Sequence, residues 1–99
     1  MIRGTTPTFT FNLPFDVSNV KAAYITIRSK RVEIEKGLED CTLDGTTITT
    51  TLTQEESLML PRSKQAQIQL RVLTQNGTAL ATSIFTVQVE DVLKEDVIK

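Results

Sequence analysis

Phe9, Phe11 and Leu13 occupy every second position of the segment 8–13, with Thr8, Thr10 and Asn12 between them. That period of two predicts a strand with one buried face. Pro7 and Pro14 bracket it, and a residue without an N–H fits a strand end or an edge. Phe15 to Asn19 reads as a loop with Phe15 turned inward. From Val20 to Arg28, Ala23, Ile25 and Ile27 form one face and Ala22, Tyr24, Thr26 and Arg28 the other, a second strand. Ser29-Lys30 suits a tight turn, after which Arg31 to Lys36 buries Val32 and Ile34, and Lys36-Gly37 ends the strand.

Cys41 and Leu43 begin a short fourth strand. Asp44-Gly45 predicts a two-residue hairpin, because type I′ turns need positive φ. Thr46 to Leu52 follows with Ile48, Thr50 and Leu52 on one face. Thr53 and Glu56 have capping-box spacing and predict one helical turn near 54–58, pinned by Leu58 and Leu60. Ala66 to Thr74 points Ile68, Leu70 and Val72 inward, and Asn76-Gly77 predicts another hairpin. The last strand, Thr78 to about Glu90, turns Phe85, Val87 and Val89 inward. Leu80 and Ile84 lie in the opposite phase, which predicts a bulge or a strand covered on both faces. The charged segment Asp91–Lys99 carries Val92, Leu93, Val97 and Ile98 and reads as a helical turn or an extension seeking a partner.

About seven short strands with regular turn signals predict an all-β, immunoglobulin-like antiparallel sandwich, formed by residues 1–99 as one domain. Composition strengthens this expectation. Sixteen threonines, eight valines and eight isoleucines stand among 99 residues, and branching at Cβ suits a pleated surface. The Cys–Trp–Cys core of antibody domains is absent, so the expected sandwich is of the general immunoglobulin type.

Charge and residue content narrow the chemistry. Eleven Lys/Arg balance twelve Asp/Glu for a formal charge of −1, which argues against a nucleic-acid partner. Without His and with one Cys, the chain has no imidazole triad or dyad, no Cys/His zinc site and no internal disulfide. No signal-type apolar stretch follows Met1, and no run approaches a membrane span. A chain made and kept in the cytosol would hold Cys41 reduced, and no membrane partner is expected.

Each remaining chemical motif has a simpler reading. Ser18 and Lys21 match Ser-x-x-Lys, which needs a buried helix and a desolvated Lys; here the stretch enters a strand. Cys41 lies beside Glu39 and Asp40, which disfavour the thiolate, so it reads as a small hydrophobe. Glu39, Asp40 and Asp44 lack the calcium-loop spacing, and Asp44 serves the turn. Glu55 and Glu56 belong to the helix start, and Asn76-Gly77-Thr78 is the hairpin rather than a glycosylation site. Arg28, Lys30, Arg31 and Lys36 form a basic cluster without interleaved aromatics. No catalytic, cofactor or metal residue is expected. Tyr24 is the one platform on which a sugar ring could stack.

Several segments together resemble a known family: Met1-Ile2-Arg3-Gly4-Thr5-Thr6-Pro7-Thr8-Phe9-Thr10-Phe11, Ala23-Tyr24-Ile25-Thr26, Asp40-Cys41-Thr42-Leu43-Asp44-Gly45 and Leu52-Thr53-Gln54-Glu55-Glu56. The chain resembles small phage- and prophage-encoded β-sandwich proteins of Gram-positive gut bacteria. The likeness extends over nearly the whole chain and lies in strands and turns, so it transfers no residue roles. Ser29-Lys30 stands where other members carry Asn-Gly, which alters the local loop. The resemblance implies a structural or accessory module, near tail or baseplate components, acting on other phage structural proteins or on itself. An exposed strand edge can recruit another strand. Contacts are expected through the Thr8–Leu13 edge or the Asp91–Lys99 tail, with Phe9 and Phe11 on the first strand, Tyr24, and Val97 and Ile98 as the candidate residues. A ligand-binding accessory domain, such as a cell-surface glycan module using Tyr24, is the alternative.

Overall fold

The alternating segments form strands at their expected places, as a computed structural model describing Met1–Lys99 shows. The strands are β1 (Thr8–Asn12), β2 (Val20–Ser29), β3 (Val32–Gly37), β4 (Thr42–Asp44), β5 (Thr47–Thr51), β6 (Gln65–Thr74), β7 (Ala79–Ala81) and β8 (Phe85–Gln88). One helix, α1 (Gln54–Met59), lies between β5 and β6, and 3-10 turns cover Val17–Asn19 and Leu38–Asp40. All strand pairings are antiparallel. One sheet has the order β1-β5-β4; the other runs β3-β2-β6-β7, with β8 also on β6.

The two sheets close over one apolar interior, so the protein is an all-β sandwich. Phe11, Ile48 and Leu52 from the three-stranded sheet meet Ile25, Ile27, Ile68, Leu70 and Val72 from the other in a continuous buried cluster. The Phe11 and Phe85 rings bridge the layers, with centroids 5.7 Å apart and planes tilted by 48°. Phe9, Phe15 and Val87 pack against this cluster from its margin. The driving force is apolar burial, about 25 cal/mol per Å² removed from water.

The predicted final strand divides in two, for a reason its sequence phase already carries. Val72 pairs with Leu80 and Ile68 with Phe85, so four steps along β6 match five along its partner. One residue is therefore extra, which defines a β-bulge. The extra residue brings Leu80 into the phase of Phe85, both partly exposed at 43% and 40%, and sets Ile84, 57% exposed, on the outer face. Thr82 holds the break: its N–H donates to Leu70 O at 2.9 Å and its hydroxyl accepts from Leu70 N at 3.1 Å.

Three turns depart from expectation by one residue. Ser29 pairs with Val32, so the β2–β3 turn is Lys30-Arg31 rather than Ser29-Lys30, and Lys30 takes a φ of +56°. Asp44 pairs with Thr47, so Gly45-Thr46 makes the next turn rather than Asp44-Gly45. After β6, Thr74 N donates to Thr78 O, which encloses Gln75-Asn76-Gly77 as a three-residue loop. Gly77 there has a φ of +89°, as three-residue hairpins place a left-handed residue last.

The α1 capping box forms as read: Glu56 N donates to Thr53 Oγ1 at 3.1 Å, and Thr53 N to Glu56 Oε1 at 2.9 Å. Leu60 is buried as expected, but Leu58 is only half-buried and Ser57 is the helical residue that faces inward. The N-terminal segment changes sheets. Glu90 N donates to Met1 O and Arg3 N to Glu90 O, a parallel contact just beyond β8. Past Gly4, at a φ of +79°, the chain crosses to the other sheet, where Pro7 O accepts from Leu52 N.

Candidate interaction surface

The residues proposed for contact separate into buried and accessible groups. Phe11 is 6% exposed and Phe9 half-buried against the core, so neither ring lies on the outer face of the sheet. The correction follows from β1's pleat: Phe9 and Phe11 point in, and Thr8, Thr10 and Asn12 point out. What β1 does present is its backbone. It pairs only with β5 and forms one margin of its sheet. Leu52 N donates to Pro7 O and Leu13 N to Thr46 O, both in the Phe11–Ile48 register. Bonded pairs alternate in an antiparallel ladder, so Phe9 and Phe11 bond to β5. The N–H and C=O groups of Thr8, Thr10 and Asn12 face the open side.

Tyr24 stands on the outer face of the five-stranded sheet, 52% exposed. Across the sheet its register partners are Arg71 on β6 and Gly37 on β3. Two open hollows flank the ring. One is bordered by Lys21, Ala22, Leu38 and Glu39, the other by Ala22, Arg71, Leu73 and Ala79.

The C-terminal segment is neither helical nor free. The Gln54 side chain brackets the backbone of Ile98, with Ile98 N donating to Oε1 at 2.7 Å and Nε2 donating to Ile98 O at 3.2 Å. Val97 is half-buried beside Thr6, Thr51 and Thr53, while the Ile98 side chain is 69% exposed. The expected partner-seeking extension is thus strapped to its own domain.

Arg3 holds the other end of that strap, and nothing local in the sequence signals it. Its Nε donates to Leu60 O at 2.7 Å and its Nη2 to Leu58 O at 2.8 Å, satisfying carbonyls at the end of α1. Its Nη1 reaches Asp91 at 3.1 Å and Glu95 at 2.7 Å. The Val92 N–H and then the Arg3 and Arg62 guanidiniums outweigh desolvation and hold the Asp91 carboxyl below its ordinary range. Every Arg3 partner lies at least 55 positions along the chain, beyond the reach of local patterns.

The remaining reactive side chains have structural partners. Ser57 is wholly buried; its hydroxyl accepts from Gly4 N at 2.9 Å and donates to Thr5 O at 2.7 Å. Cys41 donates to Gly37 O at 3.2 Å, and burial is the main cause of its raised thiol pKa. Lys36 Nζ lies 2.6 Å from Glu56 Oε1. Burial pushes the Glu56 carboxyl up, but Lys36 and the Thr53 N–H together carry it below its usual value. Ser18 donates its backbone N–H to the Asp16 carboxylate, which caps the first 3-10 turn. Glu39, Asp40 and Asp44 do not converge with a further ligand into a group able to hold a metal. Arg28 pairs with Glu33 at 3.0 Å across β2 and β3. No helix is long and apolar enough to cross a membrane.

These features define a class: an all-β sandwich whose accessible features are an open strand edge and an outer sheet face. Comparison with family models, curated proteins and solved structures returns no match.

Proposed function

We propose that the protein is a non-enzymatic module that acts through protein–protein contacts, as a structural or accessory component of a phage particle or its assembly. The observation that carries this reading is the open backbone edge of β1, set between two prolines, with its side chains at Thr8, Thr10 and Asn12 exposed. An edge of this kind pairs with another strand through main-chain hydrogen bonds. The structural commitments of Ser57, Cys41, Glu56 and Lys36 give the reading further support. The strand orders β1-β5-β4 and β3-β2-β6-β7 support placing the sandwich in the immunoglobulin type. The phage setting rests on the resemblance of the strand and turn segments. Co-expression with the products of neighbouring genes, followed by size-exclusion chromatography, tests the proposal. A complex of fixed stoichiometry is expected; a chain that binds none of them and does not self-associate refutes it.

The exposed Tyr24 ring favours one second reading, a glycan-binding accessory domain. Rings stack on sugars, and Lys21, Glu39 and Arg71 supply polar groups at the margins of the adjacent hollows. Binding on a glycan array that is lost in Tyr24→Ala supports it; an array without binding removes it.

A further inference from the structure

We infer that β1 pairs antiparallel with β1 of a second copy, centred on Thr10, to make one continuous six-stranded sheet. This deepens the protein-contact reading and rests on it. The outward-facing backbone groups belong to Thr8, Thr10 and Asn12, symmetrically spaced about Thr10. A two-fold axis there sets Thr8 against Asn12 of the partner subunit and Thr10 against its own copy. Each such pair exchanges two main-chain bonds, six in all. On the inner face the same register sets the half-buried Phe9 beside Phe11 of the partner subunit. On the outer face it extends the existing row Thr42-Thr49-Thr10, and Thr–Thr pairs across strands are favourable.

Charge selects this edge and this occupant. An antiparallel strand that meets its own copy sets its residues against one another across the axis, and only the residue on the axis faces itself. β1 carries no charge, so nothing repels at the axis. β3 bears Glu33, Glu35 and Lys36, and self-pairing about Ile34 would oppose Glu33 to Glu35 of the partner subunit. β4 has only 3 residues and includes Asp44. The β7–β8 margin is broken by the bulge at Thr82 to Ile84. Pro7 and Pro14 limit pairing to the intervening residues and discourage extended growth of the sheet.

Five residues per strand bury less than the roughly 1,200 Å² of a standard interface, so the dimer is weak. Sedimentation equilibrium over about 10 μM to 1 mM should show the mass rising from 11.0 kDa towards twice that value. Thr10→Lys places like charges at the axis, and Thr10→Pro removes an N–H that the monomer does not use. Both should remain at the monomer mass, with circular dichroism reporting that the fold is retained; Thr10→Lys decides the case if the proline variant unfolds. Amide exchange at Thr8, Thr10 and Asn12 should slow with concentration in the unaltered protein. A monomer throughout the range, or a folded Thr10→Lys that still dimerises, overturns the pairing. If that monomer nevertheless forms a complex with a neighbouring gene product, self-pairing fails while the protein-contact reading stands. If it forms none, both fail.

Discussion

Replacing Arg3 with Ala should destabilise the sandwich far more than an exposed arginine does. The side chain is 12% exposed and gathers four acceptors: Leu58 O at 2.8 Å, Leu60 O at 2.7 Å, and the Asp91 and Glu95 carboxylates at 3.1 and 2.7 Å. The carboxylates lie at the wet rim, where ion pairs contribute little. The two carbonyls are part-buried, and losing charge-assisted bonds to them leaves acceptors at the end of α1 without a partner. At about 1–1.5 kcal/mol per bond, the loss is about 2–3 kcal/mol. For a domain of this size that corresponds to a fall in Tm of roughly 10–20 °C. Arg3→Lys retains the charge but lacks the planar fork that reaches both carbonyls, so it should lose about half as much. Asp91→Asn should leave Tm nearly unchanged. Urea unfolding at pH 7 measures each variant, with an unchanged m-value required for comparison. An Arg3→Ala protein within about 0.5 kcal/mol of the parent, the range of ordinary surface changes, would refute this account of α1 and the strap.

Ser57→Ala should cost about 1–3 kcal/mol in the same assay, because Gly4 N–H and Thr5 C=O lose their shared partner. The Glu56 carboxyl has a folded pKa below its ordinary 4.5. Its contribution is therefore present above that value and is lost as pH falls through the folded pKa. Urea midpoints from pH 7 to pH 3 should fall less steeply in Glu56→Gln than in the parent. The half-buried, hydrogen-bonded Cys41 thiol has a raised pKa, so iodoacetamide should modify it several-fold more slowly at pH 8 in the folded protein than in urea. Equal rates would place the thiol in solvent.

Local patterns revealed the elements whose cause is local. The alternation of Ile25 and Ile27, of Ile68, Leu70 and Val72, and of Phe9 and Phe11 expresses one buried face per strand, and all seven help form or flank the core. The opposed phases of Leu80 and Phe85 fit either a bulge or a strand covered on both faces, and the pairing with β6 makes it a bulge. Turn identity was legible only to within a residue, because a glycine marks a left-handed φ without fixing its place in the loop. Gly45 came first in its turn and Gly77 last. The accessible surface was harder to read. Period two shows that Phe9 and Phe11 share a face, and their apolar character commits that face to the interior. Pro7 and Pro14 point to a strand end or an edge at β1, but its place as the outermost strand depends on pairing between distant segments. Arg3 and the docking of Ile98 on Gln54 leave no local trace in the sequence for the same reason: each joins one end of the chain to α1.

The two chain ends and α1 work as a unit, and this bears on where contact can occur. Met1–Arg3 lies beside Glu90, Arg3 grips α1 and the C-terminal segment, and Gln54 secures Ile98. Hydrogen bonds that close over long separations confine the ends within the monomer, so using the tail to bind a partner would first require breaking them. The β1 edge carries no such prior engagement: the outward N–H and C=O groups of Thr8, Thr10 and Asn12 have only water to displace. Contacts built on β1 therefore begin from a formed strand, with its backbone entropy already lost during folding. A docked tail would have to exchange one set of partners for another. On that energetic difference, association at the edge should proceed without loosening the strap, and Arg3→Lys should leave the concentration dependence of sedimentation unchanged while lowering Tm.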